Sequence, residues 1–267
     1  MDDVEVTVLM SVYNANLKEL NEAVTSILNQ TYKNFEFLII NDGTKNGEKQ
    51  LIESYNDNRI RIIDNEKNMG LEKSLNKGIE NAKGKYIIRM DADDISHIDR
   101  IDKQLKFIKE HPQYSIISSR VNYFDESGIY GTSSRRGEIN KKNILYGNPF
   151  SHPAMIINKS DIQKIGGYPL YRRCEDYAMV INMYANGMSG CIMEDILLDY
   201  RLDKNNYKKK IIKDRKIECK MKWNELKKLN IAFYQRVIYS IKPFIAGIIP
   251  KGIMNIYHRK VFKNEKN

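Results

Sequence analysis

The most constraining feature of this sequence is a regular alternation of apolar and amphipathic segments between residues 4 and 110. Four apolar segments have the length and the β-branched content of buried strands; they are 4–12, 35–40, 60–63 and 86–90. Between them, apolar residues recur at helical spacing, as at Leu20, Val24 and Ile27. Parallel neighbouring strands need a crossover connection, which is usually a helix. The alternation therefore predicts an α/β fold with a doubly wound, mostly parallel sheet.

Several polar side chains come directly after these predicted strands. In an open α/β sheet, ligands bind beyond the carboxyl ends of the strands. The residues at these positions are Tyr13, Asp42 and the run Asp91-Ala92-Asp93-Asp94. Closely spaced carboxylates supply the hard oxygen ligands that Mg²⁺ and Mn²⁺ prefer, and such a cation acts as a Lewis acid toward a diphosphate.

A purely structural interpretation of the same residues is also open. Carboxylates at 91–94 are suited to capping the helix that follows them. Tyr13 fits a core aromatic residue at a strand end, and Asp42 fits an Asx turn beside Gly43.

The pattern is less regular after the fourth predicted strand. A helix that stops at His111-Pro112 and a strand at 115–119 follow. From Val121 the sequence is polar and contains several glycines, which predicts loops. The remaining predicted elements are 154–157, 160–165 and a helix that begins near Glu175.

The motifs of the chain follow an order typical of one enzyme family. In the first half they are Val8-Leu9-Met10-Ser11-Val12-Tyr13-Asn14, Leu28-Asn29-Gln30-Thr31-Tyr32, Phe37-Leu38-Ile39-Ile40-Asn41-Asp42-Gly43, Asn68-Met69-Gly70-Leu71, Ala82-Lys83-Gly84-Lys85-Tyr86-Ile87 and Asp91-Ala92-Asp93-Asp94. In the second half they are Ser151-His152-Pro153, Gly166-Gly167-Tyr168, Cys174-Glu175-Asp176-Tyr177 and Asp199-Tyr200-Arg201. Over about residues 4–203 the chain thus resembles glycosyltransferase family 2, whose enzymes have the GT-A fold.

This resemblance implies a domain organisation and a donor. It places a Rossmann-like nucleotide-binding half at 1–95 and an acceptor half at 96–203, followed by a C-terminal tail at 204–267. The donor is expected to be a nucleotide sugar. The resemblance implies that Ser11, Tyr13 and Asp42 contact its nucleoside, with Asp42 reading the base. It also implies that Asp91 and Asp93 hold Mn²⁺ or Mg²⁺ together with the diphosphate.

The resemblance further implies an inverting reaction that needs a general base. The family's Glu-Asp motif points to Asp176 as that base and to Glu175 as its orienting neighbour, and His152 is expected to border the substrate pocket. Two alternatives stay open, because carboxylates at 175 and 176 also complement the positive end of a helix, and a histidine before proline suits a rigid turn. Relatives often carry a histidine shortly after the Tyr-Arg pair, whereas this chain has Leu202-Asp203. The role of Asp203 is therefore undecided.

The positive charge of the chain is concentrated near its C-terminus. The formal net charge of +10 consists of −4 over residues 1–200 and +14 over residues 201–267. Basic residues such as Lys208-Lys209-Lys210 alternate there with apolar ones such as Trp223 and Phe244, which predicts a basic, amphipathic helical tail. We expect this tail to lie on an anionic membrane surface. A helical pair that packs on the catalytic body explains the same pattern.

These features predict a metal-dependent hexosyltransferase that moves a sugar from a UDP-sugar to a lipid-linked saccharide in capsule, O-antigen or exopolysaccharide synthesis. A nucleotidyltransferase is the alternative, although Tyr13-Asn14-Ala15-Asn16-Leu17 lacks the glycines and cations of a triphosphate loop. Nucleic-acid binding by the tail is less favoured because the body is net acidic, so no nucleic-acid partner is expected. The chain has three cysteines without a C-x-x-C pair, no signal-peptide pattern and no long apolar segment. These features favour a cytoplasmic protein on the inner face of the cell membrane.

Overall fold

The computed structural model describes residues 4–202 and 212–248. The chain divides into two compact units, Met1–Tyr207 and Lys208–Asn267. Asp203, the basic run Lys208-Lys209-Lys210 and the end of the predicted tail, 249–267, lie outside the described residues.

The first half of the first unit is a parallel sheet with crossover helices. Its strands are β1 (Val6–Val12), β2 (Phe35–Asn41), β3 (Ile60–Asp64) and β4 (Tyr86–Met90), and its helices are α1 (Leu17–Leu28), α2 (Glu48–Ser54) and α3 (Leu71–Asn81). The strand order is β3-β2-β1-β4, and all three pairs are parallel. The predicted α/β fold class is confirmed for this half of the sheet.

Local sequence explains where α1 begins and which side it buries. The Asn16 side chain caps the helix by accepting hydrogen bonds from the backbone N–H groups of Lys18 and Glu19. The apolar residues of α1 lie on one face, and Leu20 and Val24 are fully buried against the sheet core. Burying a side chain of this size contributes about 1.5–3 kcal/mol relative to leaving it exposed.

The register of the strands brings their carboxyl ends together. Ser11 pairs with Ile40 across β1 and β2, and Met10 pairs with Met90 across β1 and β4. Because the three strands are parallel, the residues that follow them, including Asp42, emerge at one edge of the sheet.

The second half of this unit extends the sheet with mixed strand directions. Its elements are β5 (Ile95–Ser96), α4 (Arg100–Glu110), β6 (Ile116–Asp125), β7 (Gly128–Thr132), β8 (Gly137–Ile139), α5 (Lys141–Tyr146), β9 (Met155–Asn158), α6 (Lys159–Lys164), α7 (Glu175–Ala185) and β10 (Gly190–Arg201). The sheet continues from β4 in the order β9-β6-β10-β5, while β7 pairs with β6 and β8 pairs with β10. Strand β9 is antiparallel to both β4 and β6.

Two features of this half differ from the sequence-based expectations. The region after Val121 was expected to form loops, but β6 continues to Asp125 and pairs with β7. Strand β7 is almost wholly exposed, so it lacks the apolar alternation that identifies a half-buried strand. Strand β10 was not predicted at all, because exposed Glu194 and Asp195 interrupt its buried residues where its register with β6 shifts.

The second unit contains two helices in its described part. They are α8 (Ile212–Glu225) and α9 (Phe233–Ile248), joined by a short 3₁₀ turn, and they pack against each other. The Arg236 guanidinium lies 3.8 Å from the centroid of the Trp223 ring, and its Nε donates to the Trp223 carbonyl at 2.8 Å. None of the described helices combines the length and the apolar character that crossing a membrane requires.

Candidate active site

An acidic cluster follows β4 at the carboxyl edge of the sheet. One carboxylate oxygen from each of Asp91, Asp93 and Asp94 lies within 4.8 Å of the others. Asp94 is 1 % exposed; its Oδ1 accepts from the Arg201 backbone N–H at 2.8 Å, while its buried Oδ2 has no hydrogen-bond partner. Three hard oxygen donors, one of them unsatisfied by the protein, fit a divalent cation such as Mg²⁺ or Mn²⁺.

Crowding disfavours the charged forms of Asp93 and Asp94. Burial, followed by the charges of Asp91 and Asp93, raises the pKa of Asp94 well above its usual value. The Asp93 side chain reaches solvent, but desolvation in this crowded turn and the charges of Asp91 and Glu19 raise its pKa to about 6. A bound cation favours the deprotonated carboxylates, so its binding would release protons.

Two arginines hold the acidic turn in place. Arg89, on β4, places its Nη2 2.5 Å from Oδ1 of Asp91. Arg201, at the end of β10, donates from Nε to the Asp93 carbonyl at 2.7 Å and from Nη2 to Glu22 Oε2 at 2.6 Å. The Asp-Tyr-Arg motif therefore contributes to this turn from more than 100 residues away in the chain.

The Leu-Asn-Gln-Thr-Tyr motif fixes the segment that follows the acidic turn. Gln30 is fully buried, and its Nε2 donates to Ser96 Oγ at 3.2 Å and to the His97 carbonyl at 2.7 Å. Its Oε1 accepts from the Ile101 backbone N–H at 3.0 Å. One side chain thus connects the end of α1 to β5 and to the first turn of α4.

Asp42 holds the loop that leads into α3. Its Oδ1 accepts from Asn65 Nδ2 and from the Met69 backbone N–H, both at 2.8 Å. Its Oδ2 accepts from the Gly70 backbone N–H at 3.1 Å. Asp42 is 2 % exposed, so these bonds form away from solvent and fix the loop 65–70 against the end of β2.

Gly43 permits this close approach. Its φ is +77°, a conformation that favours glycine, and a Cβ at this position would lie 2.7 Å from the backbone carbonyl carbon of Lys67. The adjacent Asn41 stabilises the same turn, because its Oδ1 accepts from the backbone N–H and the hydroxyl of Thr44.

Ser11 and Tyr13 stand at the same edge of the sheet as Asp42. Ser11 is half-buried within β1, whereas Tyr13 lies just beyond the strand and is 48 % exposed. Asn14 follows with a φ of +49°, which turns the chain toward α1. Tyr13 therefore offers an accessible ring face beside the loop that Asp42 holds.

Helix α7 begins with two carboxylates in different environments. Asp176 Oδ2 accepts from Asn148 Nδ2 at 2.7 Å. Glu175 is 6 % exposed, and its Oε2 has no hydrogen-bond partner. Burial and the charge of Asp176 raise the pKa of Glu175 to about 7, although the charge of Arg89 acts in the opposite direction.

His152 and Tyr168 form a pair beside this helix. His152 Nε2 lies 2.9 Å from the Tyr168 hydroxyl. Burial and the positive charge of Arg89 lower the pKa of His152 well below its usual value, so its ring is neutral near pH 7. Burial raises the pKa of Tyr168, and the charges of Asp91, Glu175 and Asp176 act on it in the same direction. Charges from both the acidic cluster and the first turn of α7 therefore act on the Tyr168 hydroxyl.

Comparison with known proteins identifies the family. The model of glycosyl transferase family 2 matches residues 7–173. The chain belongs to this family. A glycosyltransferase of Methanocaldococcus jannaschii, named as uncharacterized, is 32% identical over 96% of this chain and 93% of that protein. The UDP-Gal:alpha-D-GlcNAc-diphosphoundecaprenol beta-1,3-galactosyltransferase of Escherichia coli is 30% identical over 98% of both chains.

A solved structure supports the fold. S. aureus TarS 1–349 in complex with UDP-GlcNAc superposes with a TM-score of 0.68 at 16% identity, covering 90% of this chain and 71% of that one. At this identity the likeness shows the fold alone. The predicted GT-A fold and the resemblance to family 2 are both confirmed.

The fold brings together most of the residues that the family resemblance singled out. Asp91 and Asp93 form one cluster, and Ser11, Tyr13 and Asp42 lie at the neighbouring strand ends. The charge of Arg89 acts on His152 and on Glu175. The charges of Asp91, Glu175 and Asp176 all act on Tyr168.

Three residues of this site were missed by the sequence interpretation. Arg89 lies inside a predicted strand, where an arginine gives no signal of its own. Arg201 was noted only as part of a motif. Asn148 lies in the polar segment for which no element was predicted, and only its bond to Asp176 reveals it.

Proposed function

We propose that this glycosyltransferase moves a sugar from a nucleotide sugar to a saccharide hydroxyl with inversion, in the presence of Mn²⁺ or Mg²⁺. The observations that carry the proposal are the acidic cluster of Asp91, Asp93 and Asp94 at the end of β4 and the two carboxylates, Glu175 and Asp176, in the first turn of α7. An inverting transfer needs a group that stabilises the departing diphosphate and a base that accepts the hydroxyl proton. Membership of family 2 favours this reaction over the transfer of a nucleotidyl group.

The donor that fits best is a UDP-sugar. The E. coli relative is named for UDP-Gal, and the TarS structure contains UDP-GlcNAc. In this chain Ser11 and Tyr13 are positioned to contact the nucleoside. Asp42 reads the base and also holds the adjacent loop 65–70 through its three internal hydrogen bonds.

Asp91 and Asp93 are the residues that would hold the cation. When bound, Mn²⁺ or Mg²⁺ supplies positive charge that neutralises the diphosphate. Arg201 keeps the turn in shape through the Asp93 carbonyl. Arg89 occupies one oxygen of Asp91, which fixes the orientation of that carboxylate.

Asp176 accepts the proton of the attacking hydroxyl. Asn148 donates to its Oδ2 and holds the carboxylate in one orientation. Glu175 lies in the same helical turn. When Glu175 is deprotonated, it places a second negative charge near Asp176. A positioned base contributes typically ~10²–10⁴-fold to such a reaction.

The acceptor is a lipid-linked saccharide, and the second unit binds an anionic membrane surface at the inner face of the cell membrane. The E. coli relative is named for a diphosphoundecaprenol-linked acceptor. Helix α9 exposes a series of large apolar side chains, namely Phe233, Tyr234, Ile238, Ile241 and Ile245. An amphipathic helix with exposed apolar residues and nearby cations suits the membrane interface. This arrangement places the protein in the synthesis of a cell-surface polysaccharide.

The reaction is tested by measuring release of UDP from a panel of UDP-sugars with Mn²⁺ or Mg²⁺, followed by transfer to saccharide acceptors. Asp176→Asn is expected to lower the transfer rate by about 10²–10⁴-fold without unfolding the protein. Asp161→Asn is the matched control, because Asp161 is also an acidic residue in the first turn of a helix. If the two substitutions lower the transfer rate equally, the only role left for Asp176 is its favourable interaction with the helix dipole.

Membrane binding is tested by sedimentation of the full-length chain with liposomes. We expect binding to vesicles that contain phosphatidylglycerol and little binding to pure phosphatidylcholine, with the difference reduced by salt. Ile238→Asp should weaken the association because it places a charge among the exposed apolar residues of α9. Equal sedimentation of the variant and the wild type, or no sedimentation at low salt, contradicts this part of the proposal.

A further inference from the structure

Arg89 is a buried cation in a position where packing alone would favour an apolar residue. It lies in the middle of the sheet on β4, next to Leu9 of β1 in the strand register. Its side chain is 2 % exposed, and the alternate residue on the same face of β4, Ile87, is apolar and buried. Burying a guanidinium is costly unless it is paired and hydrogen-bonded.

The structure satisfies only part of this guanidinium. Nη2 contacts Asp91 Oδ1 at 2.5 Å, but Nε and Nη1 are buried and have no hydrogen-bond partner. Buried polar atoms without a partner are rare in folded proteins and often have a functional reason. The guanidinium therefore retains N–H groups, on Nε and Nη1, that donate to no acceptor among the described residues.

The first turn of α7 also carries a buried acceptor without a partner. Glu175 Oε2 is also buried without a hydrogen-bond partner, and the charge of Arg89 favours the ionised form of Glu175. The other charges that act on Glu175 are those of Asp176, on α7, and Glu72, on α3, and both oppose its ionisation. Among these three charges, that of Arg89 is the one that favours the ionised form of Glu175, and each of the two groups has buried atoms without a hydrogen-bond partner.

The backbone of Arg89 is fixed by a second buried arginine. Arg100 Nη2 donates to the Arg89 carbonyl at 2.8 Å and to the Pro153 carbonyl at 2.7 Å. Arg100 thereby ties β4 to the segment that carries His152. This rigid support keeps the Arg89 side chain in a constant position relative to Asp91.

We propose that Arg89 is a positioning residue for both halves of the reaction centre. Its Nη2 orients Asp91 toward the divalent cation, and its Nη1 donates to Glu175, directly or through one water molecule, when donor and cation are bound. The Glu175 carboxylate is then held in its ionised form beside Asp176. This inference rests on the proposed function, because it assigns Arg89 to the same site.

The first test measures the affinity of the full-length protein for Mn²⁺ in the presence of UDP, by electron paramagnetic resonance. Arg89→Met removes the bond to Asp91 and should weaken Mn²⁺ binding by about 10–100-fold, as loss of a group that orients a metal ligand does. Arg89→Lys retains the charge and should weaken it less. Arg61→Met is the matched control, since Arg61 also pairs with a buried carboxylate, Glu36, at 2.7 Å but outside the site.

The second test is a double-substitution cycle on the transfer rate. If Arg89 acts on Glu175, Arg89→Met combined with Glu175→Gln should slow transfer no more than the stronger of the two single substitutions. Arg89→Lys should recover part of the activity that Arg89→Met loses. A purely structural role would lower the melting temperature in all Arg89 and Arg61 variants alike and would not produce this pattern.

The two proposals fail in different ways. The role of Arg89 is overturned if Arg89→Met and Arg89→Lys bind Mn²⁺ as tightly as the wild type does. It is also overturned if the effects of Arg89→Met and Glu175→Gln on the transfer rate multiply in the double variant. Wild-type protein that binds Mn²⁺ with UDP but transfers no sugar from any UDP-sugar overturns the proposed function instead.

Discussion

Asp42→Ala should release the loop 65–70 from the sheet edge. The substitution removes the acceptor of three hydrogen bonds, two of them from the backbone N–H groups of Met69 and Gly70. Hydrogen bonds to a charged group contribute about 1.5–3 kcal/mol each. Met69 is 45 % exposed, so water can replace part of what is lost once the loop opens. We therefore expect the opening free energy of the loop to fall by about 2–4 kcal/mol.

Amide hydrogen exchange measures this change at the two backbone donors. A fall of about 2–4 kcal/mol corresponds to exchange that is about 30- to 700-fold faster at Met69 and Gly70. Asp57→Ala is the control, because Asp57 also accepts three hydrogen bonds, all from Arg59, in a different turn. Exchange at Met69 and Gly70 that stays within about twofold of the wild type in folded Asp42→Ala would refute the reasoning.

Three further substitutions test polar groups at and around the site. Because the pKa of Glu175 is raised to about 7, its ionisation opposes folding increasingly as the pH rises above the pKa that Glu175 has in the unfolded chain. Glu175→Gln should therefore raise the free energy of unfolding, measured by urea denaturation, by about 1 kcal/mol at pH 5.5 and by about 3 kcal/mol at pH 8. A stabilisation that does not change with pH would contradict this. Gln30→Ala leaves the Ile101 N–H without its partner and removes one bond to the His97 carbonyl, which also accepts from the Arg100 backbone N–H. It should lower the free energy of unfolding by about 2–4 kcal/mol, whereas a loss below about 0.5 kcal/mol would show that water replaces the amide. Asp93→Ala should abolish the stimulation of transfer by Mn²⁺, and full activity in the presence of a chelator would refute a metal role for this residue.

The periodicity of the sequence predicted the strands and helices whose apolar residues follow a regular local pattern. Strands β1 to β4 were expected close to their observed bounds, the helical spacing at Leu20, Val24 and Ile27 falls within α1, and α4 ends just before the expected stop at His111-Pro112. The prediction failed where strands are exposed or interrupted, as in β7 and β10, because their residues follow no apolar alternation. The antiparallel insertion of β9 between β4 and β6 also has no local signal, since strand order depends on packing between distant segments.

The sequence by itself determined the α/β class, the family and the residue types that we propose to carry the chemistry: carboxylates at the end of β4 and at the start of α7. Only the tertiary structure decided how these side chains are held. Arg201 reaches the Asp93 carbonyl across 108 residues, and Asn148 reaches Asp176 across 28. Such bonds depend on the relative placement of strands and helices, which local periodicity does not encode. The same holds for Arg89, whose unsatisfied N–H groups become visible only when the burial of β4 is known.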